Sequence, residues 1–210
     1  KDALASIDKS FTFVIFLTSA MAFGVCGITE RFVPLFYGSE FLGVISLLPW
    51  LAVTLIFIGW ANVIRTQYVI PVGKDTLYLW STVIGAVSNL IINYLLIPKL
   101  GAFGAVIGTI VAELSVACFL SAVVRKQLPI FTYLKKNCAF IAFGVVMAVI
   151  THFCGKIFAS SYISLLFQVF VGAAFYLTAS LFYLKRFNAE LYAQLSYRIK
   201  RLYHRFVKKA

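Results

Sequence analysis

Six stretches of almost uninterrupted apolar residues divide the chain, at about Ser10–Ile28, Leu42–Val63, Leu77–Ile97, Ala102–Val124, Asn137–Gly155 and Ile163–Leu184. Each is close to the ~20 residues that a helix needs to cross ~30 Å of hydrocarbon. None shows the two-residue alternation of a membrane β-barrel strand. The pattern predicts an all-α integral membrane protein of six transmembrane helices. The connection Pro98–Gly101 is so short that the third and fourth helices must form an antiparallel hairpin, with Pro98 expected to stop the third helix and Gly101 to make the turn. Pro49 is expected to kink the second helix in its outer third. The apolar segment Thr29–Phe41, where Pro34 and Gly38 break any long helix, is expected to lie in the outer interface, where aromatic rings are favoured; a short re-entrant piece is the alternative.

Past the last span the period changes. Leu191, Leu195, Ile199, Leu202 and Phe206 fall on one helical face, and Arg198, Lys200, Arg201, Arg205 and Lys208 on the rest. Asn188 suits an N-cap and Glu190 complements the dipole in the first turn. The domain reading is a transmembrane bundle over 1–184 and a basic amphipathic tail over 185–210. The tail is expected to lie on the inner leaflet as a surface anchor; a regulatory or partner-docking helix is the other reading.

Composition agrees with a bilayer. The chain is 62% hydrophobic and 12% charged, with a mean hydropathy of +0.95, about half the charged fraction of a soluble domain. A net charge of +12 raises nucleic acid as a partner, but the distribution of the basic residues excludes it. They sit between and after the apolar runs, as topology determinants do. Lys1, Lys9, Arg65, Lys74, Arg125, Lys126, Lys135, Lys136, Lys185, Arg186 and the six in the tail lie on one side; Arg31, Lys99 and Lys156 lie on the other, making up all 19. By the positive-inside rule both termini are cytoplasmic, as an even number of spans also requires.

The first run is too long for a signal-peptide core and has no cleavage site. The chain begins with Lys1 rather than Met, which leads us to expect residues upstream. Cys26, Cys118, Cys138 and Cys154 form no CxxC pair and read as small hydrophobes without a metal or redox role. Cys26 and Cys154 both fall near the outer ends of their helices, where a disulfide is conceivable. His152 and His204 lie in different regions with no evident ligand partner. With no HExxH, Walker or GxSxG motif and no paired acids, the sequence predicts no enzyme, metal or cofactor, and ATP hydrolysis is excluded for these residues.

Candidate chemistry lies in residues that hydrocarbon should exclude. Glu113 falls near the midplane of the fourth helix, at a cost of about 2.5–3.5 kcal/mol unless partners or water reduce it. Thr109 shares its face. Two readings stand: a helix-to-helix hydrogen bond, or a coupling or cavity residue. Gly85, Asn89 and Asn93 line one stripe of the third helix, either for interhelical hydrogen bonding or as a groove for sugar hydroxyls. Gly104 and Gly108 form a GxxxG for close packing, expected against the third helix. Arg65, beside Asn62 and Gln67 at the inner end of the second helix, either snorkels to the interface or contacts a phosphate at a cavity mouth.

The ordered set Pro34-Leu-Phe-Tyr-Gly-Ser-Glu-Phe41, Gly73-Lys74, Asn89 with Asn93, Leu96-Ile-Pro98, Gly101-Ala-Phe-Gly-Ala105 and Glu113 resembles the C-terminal domain of Wzx-type polysaccharide flippases, in the multidrug/oligosaccharidyl-lipid/polysaccharide exporter superfamily. The resemblance covers roughly Phe32–Glu113; the last two helices and the tail match only as apolar helices with basic loops. It implies one bundle of a two-bundle, MATE-like transporter fold, with the N-terminal bundle missing from this chain. It also implies a bacterial cytoplasmic-membrane protein that flips undecaprenyl-diphosphate-linked oligosaccharide by alternating access, with membrane lipids and polysaccharide polymerase or assembly proteins as partners. Glu113 would then be a candidate for ion coupling. A cation-coupled drug exporter of the same superfamily and a non-transporting scaffold are the competing readings. A small aromatic-lined cavity favours the exporter, and a large hydrophilic one favours the flippase.

Overall fold

A computed structural model describes residues 2–157, 161–188 and 192–193. They form six long helices: α1 (Asp2–Phe36), α2 (Val44–Ile64), α3 (Asp75–Leu100), α4 (Ala102–Val124), α5 (Ile130–Ile157) and α6 (Tyr162–Phe187). All six are long and apolar enough to span a membrane, and no strand occurs among the described residues. The protein is an all-α, multi-pass membrane protein. The predicted amphipathic tail falls almost wholly outside the described residues.

Most helices outrun their apolar cores, because intrahelical hydrogen bonds carry a helix on into polar flanks without needing lipid. Two expectations about proline are corrected. Pro34 lies inside α1, which runs on to Phe36, and Pro98 lies inside α3, which runs on to Leu100. A proline this near a C-terminus removes one late hydrogen bond and leaves the earlier turns intact. The chain breaks instead at Gly38 (φ +90°) and Gly101 (φ +56°), a backbone region open to glycine and costly for other residues. The segment Thr29–Phe41 is therefore mostly the end of α1, followed by a 3₁₀ turn at Ser39–Phe41. Its rings cluster with α6: Phe32 stacks on Phe36 at 4.7 Å, and Phe36 meets Tyr162 edge-on at 6.1 Å. α2 is continuous through Pro49. Cys26 and Cys154 are free thiols.

Successive helices alternate in direction, as contacts at their ends show. Asp8 and Lys136 pair at 2.7 Å near the starts of α1 and α5. The Tyr162 hydroxyl at the start of α6 donates to the Leu35 carbonyl at the end of α1. Trp50 meets Phe103 near the starts of α2 and α4. One end of the bundle thus gathers Lys9, Arg65, Lys74, Arg125, Lys126, Lys135 and Lys136; the opposite end has Arg31, Lys99 and Lys156.

The helices stand in a row. α3 packs on α4, α4 on α2, α2 on α1, α1 on α5 and α5 on α6, with α6 folding back to touch α1. The interior lies along this row, where Phe11, Ile15, Ile64, Leu120 and Phe140 are fully buried. Hydrogen bonds join helices without lipid exposure: the Tyr176 hydroxyl donates to the Phe16 carbonyl at 2.8 Å and Tyr183 to that of Lys136 at 2.8 Å. In a bilayer such bonds and close packing, rather than hydrophobic burial, hold helices together. α3 stands at one end of the row with a single long neighbour, and only Ser81 and Gly85 of it are buried.

Candidate functional site

The α3–α4 hairpin brings the predicted small-residue motif and the asparagine stripe into one contact. Gly104 lies so near α3 that a Cβ there would fall 2.6 Å from the Leu96 carbonyl, and a Cβ on Gly108 would overlap the Asn93 amide oxygen. The packing partner expected for Gly104 and Gly108 is the observed one. The Asn93 amide donates to Asn89 Oδ1 at 2.9 Å, and Asn93 Oδ1 is buried against the Gly108 backbone with no hydrogen-bond partner among the described residues. Asn93 therefore takes part in the α3–α4 contact, as the packing reading of the stripe expects, and Asn89 is tied to it within α3. The physical reason is Gly108, whose missing side chain lets α4 close over the amide.

Glu113 and Thr109 behave differently. The Thr109 hydroxyl bonds back to the Ala105 carbonyl at 3.1 Å within its own helix. Glu113 shares its helical face with Val106, Ala117, Leu120 and Val124, all buried, yet it is itself only half-buried. It has no hydrogen bond or ion pair among the described residues. The 3.6-residue period puts Gly108 and Ala112 on one side of it, toward α3, and Ser121 on the other, where the Trp60 indole of α2 donates to the Ser121 hydroxyl at 3.0 Å. Glu113 thus points between α2 and α3.

A groove of about 470 Å³ lies between α1 and α2 toward the basic end. Ser10, Thr18, Asn62, Thr66 and Gln67 supply uncharged polar groups to its wall; Val14, Leu55 and Ile58 supply apolar surface, and Phe13 is its single aromatic residue. On α2, Leu51, Leu55, Ile58, Asn62 and Thr66 form one open face, with α1 to one side and α4 to the other. Thr109 and Glu113 of α4 are not among the residues that line this groove.

Arg65 closes the basic end of this face. It opens a π-helical turn, Arg65–Val69, that continues α2, a feature common at functional sites. Its Nη2 donates to the Ser81 hydroxyl at 3.2 Å and its guanidinium lies 5.2 Å from the Tyr78 ring centre. Nε is buried without a hydrogen-bond partner among the described residues. Arg65 therefore ties the end of α2 to the start of α3 rather than reaching freely into solvent.

The sequence reading missed a polar cluster at the opposite end. Arg31 of α1 donates through Nη2 to the Gly155 carbonyl and through Nη1 to the Ser164 hydroxyl at 3.2 Å. The Gln168 amide, turned so that its oxygen faces both donors, accepts from Arg31 Nε at 3.1 Å and from the Gly155 N–H at 3.2 Å. A guanidinium at the C-terminus of α5 also opposes the helix dipole there. His152, which the sequence left without a partner, lies 3.6 Å from the Glu30 carboxylate. Gln168, a carboxamide within an apolar run, was the available signal, since such a residue needs partners in a membrane.

Comparison of the chain with protein-family models, with curated proteins and with solved structures gave no match.

Proposed function

We propose that this protein is one helical bundle of a carrier that moves a lipid-linked oligosaccharide across the bacterial cytoplasmic membrane for cell-surface polysaccharide synthesis, with both termini cytoplasmic. Two observations support it: the hydroxyl- and amide-lined groove between α1 and α2, and Glu113 of α4, half-buried and without a hydrogen-bond or ion-pair partner among the described residues. A membrane protein keeps an ionisable group at hydrocarbon depth where water or a polar solute meets it. A mixed wall of hydroxyls, amides and short aliphatic side chains suits a sugar, which has both a hydroxyl rim and apolar C–H faces. The near-absence of aromatic residues from the groove favours this cargo over the flat cationic drugs of an exporter, and the unpartnered carboxylate favours transport over scaffolding. In this reading a second bundle covers the polar face, and alternating access follows from rocking of one bundle against the other.

Glu113→Gln tests the proposal because it keeps the shape and removes the charge. In cells that depend on this protein for surface polysaccharide, we expect the variant to reach the membrane at normal levels and to lose most of the outward exposure of lipid-linked saccharide. Normal exposure would remove Glu113 from the mechanism. Asn62→Leu with Thr66→Val should weaken transport by stripping polar groups from the groove while leaving the helix contacts intact.

A further inference from the structure

A second groove lies on the opposite side of the row. It occupies about 380 Å³ between the last turns of α4 and the first turn of α5, at the basic end. Trp60 of α2 forms its back wall and is held there by its bond to Ser121. Leu128 and Ile130, both buried, the half-buried Leu134 and the exposed Phe131 make the rest of it apolar. Two polar side chains stand at its rim, Arg125 and Thr132. Both are exposed, and neither has a hydrogen-bond or ion-pair partner among the described residues.

We propose that this groove is a binding site for an anionic glycerophospholipid, with an acyl chain against Trp60 and the phosphodiester on Arg125 and Thr132. The apolar wall runs from Trp60, Cys118 and Ala122 in α2 and α4 to Leu128, Ile130 and Leu134 nearer the basic end, and Arg125 and Thr132 stand at that end, so the order of apolar and charged groups along the groove matches that of a lipid entering from its own leaflet. Arginine offers a planar fork to a phosphate, and the threonine hydroxyl adds one further donor. Charge separates two sources of a phosphate on a lipid chain. A phosphodiester carries one negative charge and is met by the one cation in the groove wall. A prenyl diphosphate carries more than one and would leave charge uncompensated here. The site is independent of the transport proposal, because its lining includes neither Glu113 nor any residue of the α1–α2 groove.

Trp60 provides the readout. With Trp50→Phe and Trp80→Phe it becomes the sole tryptophan, and the full chain is reconstituted in phosphatidylcholine vesicles that contain either phosphatidylglycerol or phosphatidylcholine brominated on an acyl chain. We expect brominated phosphatidylglycerol to quench Trp60 at a lower mole fraction, by about fivefold, as one basic residue near a charged lipid surface would give. Arg125→Gln should abolish this preference and Arg125→Lys should keep most of it, whereas Lys126→Gln, outside the groove wall, should leave it unchanged. Equal quenching by both lipids, or a preference that survives Arg125→Gln, would overturn the proposal. So would relief of quenching by an unbrominated prenyl diphosphate at lower concentration than by unbrominated phosphatidylglycerol, since that would assign the groove to a diphosphate lipid.

Discussion

The Asn93 amide and the Gly108 backbone show how one missing side chain decides what a polar residue does. Spacing put Asn89 and Asn93 on one stripe and Gly104 and Gly108 on another, and both stripes were legible in the sequence. The short hairpin set α3 as the neighbour of the glycines, but that they meet its asparagine stripe was not legible, because helical period gives a face of one helix and not the face of its neighbour that it meets. Without a Cβ at 108, α4 approaches until the amide is enclosed and Asn93 Oδ1 is left without a hydrogen-bond partner among the described residues. Gly108→Ala should therefore destabilise the hairpin, as Asn93 must leave its rotamer to admit a methyl group. Asn93→Ala should reverse much of that loss by making room. The coupling between the two in a double-mutant cycle of detergent-solubilised unfolding is expected at about 1–3 kcal/mol, the upper range for residues in contact. Additive effects would mean that the amide does not pack on Gly108. Glu113 is the contrasting case. Its depth and its shared face with Thr109 were read from the sequence, and its lack of a hydrogen-bond or ion-pair partner among the described residues required coordinates.

At the scale of elements, six apolar runs were legible, and each falls in one of the six long helices. They did not show the ends where helical hydrogen bonding continues beyond the apolar run, as α1 does from Asp2 to Lys9 and α5 from Ile130 to Lys136. The π-helical turn after α2 has no signature in the pattern, since Arg65–Val69 differs from an α-helical turn by one backbone register. What binds the far ends of α1, α5 and α6 was equally hidden, because Arg31, Gly155, Ser164 and Gln168 are distant in sequence and only meet once the helices pack. Arg31 supplies three charge-assisted or amide contacts there, each of a kind contributing about 1.5–3 kcal/mol when one partner is charged. Arg31→Met keeps the aliphatic stem and removes the donors. It should lower the melting temperature and speed amide hydrogen exchange in the first turn of α6, where Ser161 caps the helix by accepting from the Ser164 N–H. Exchange that is unchanged in that turn would show that Ser161 alone holds it. Gln168→Leu should act on the same turn, because it removes the acceptor that joins Arg31 Nε to Gly155.

At the scale of the whole molecule, six spans arranged as a row have two broad sides, and the residues on them differ in kind. Ser10, Asn62 and Thr66 line a groove on one side; Trp60, Cys118, Ala122 and Phe131 line the groove on the other. No hydropathy window can read this division, since each helix is apolar enough to span and α2 and α4 have little asymmetry of their own. The polarity emerges only when neighbouring helices align their few polar positions. If one side meets water or a hydrophilic cargo and the other meets lipid, two residues at equal depth must differ in reactivity. Asn62 and Ala122 make that pair: Trp60 bonds Ser121, so the residues just beyond each, on parallel helices, lie at nearly the same level, and both are exposed. With the four native cysteines replaced by alanine, Asn62→Cys should react readily in vesicles with a charged maleimide, because thiolate formation needs water. Ala122→Cys should react slowly, because acyl chains exclude water from its side. Raising the pH should speed the first more than the second, as a hydrated thiol near its ordinary pKa ionises while one in hydrocarbon does not. Equal rates at both positions would remove the distinction between a polar and a lipid side, and with it the physical basis for a transport path along α2 and α4.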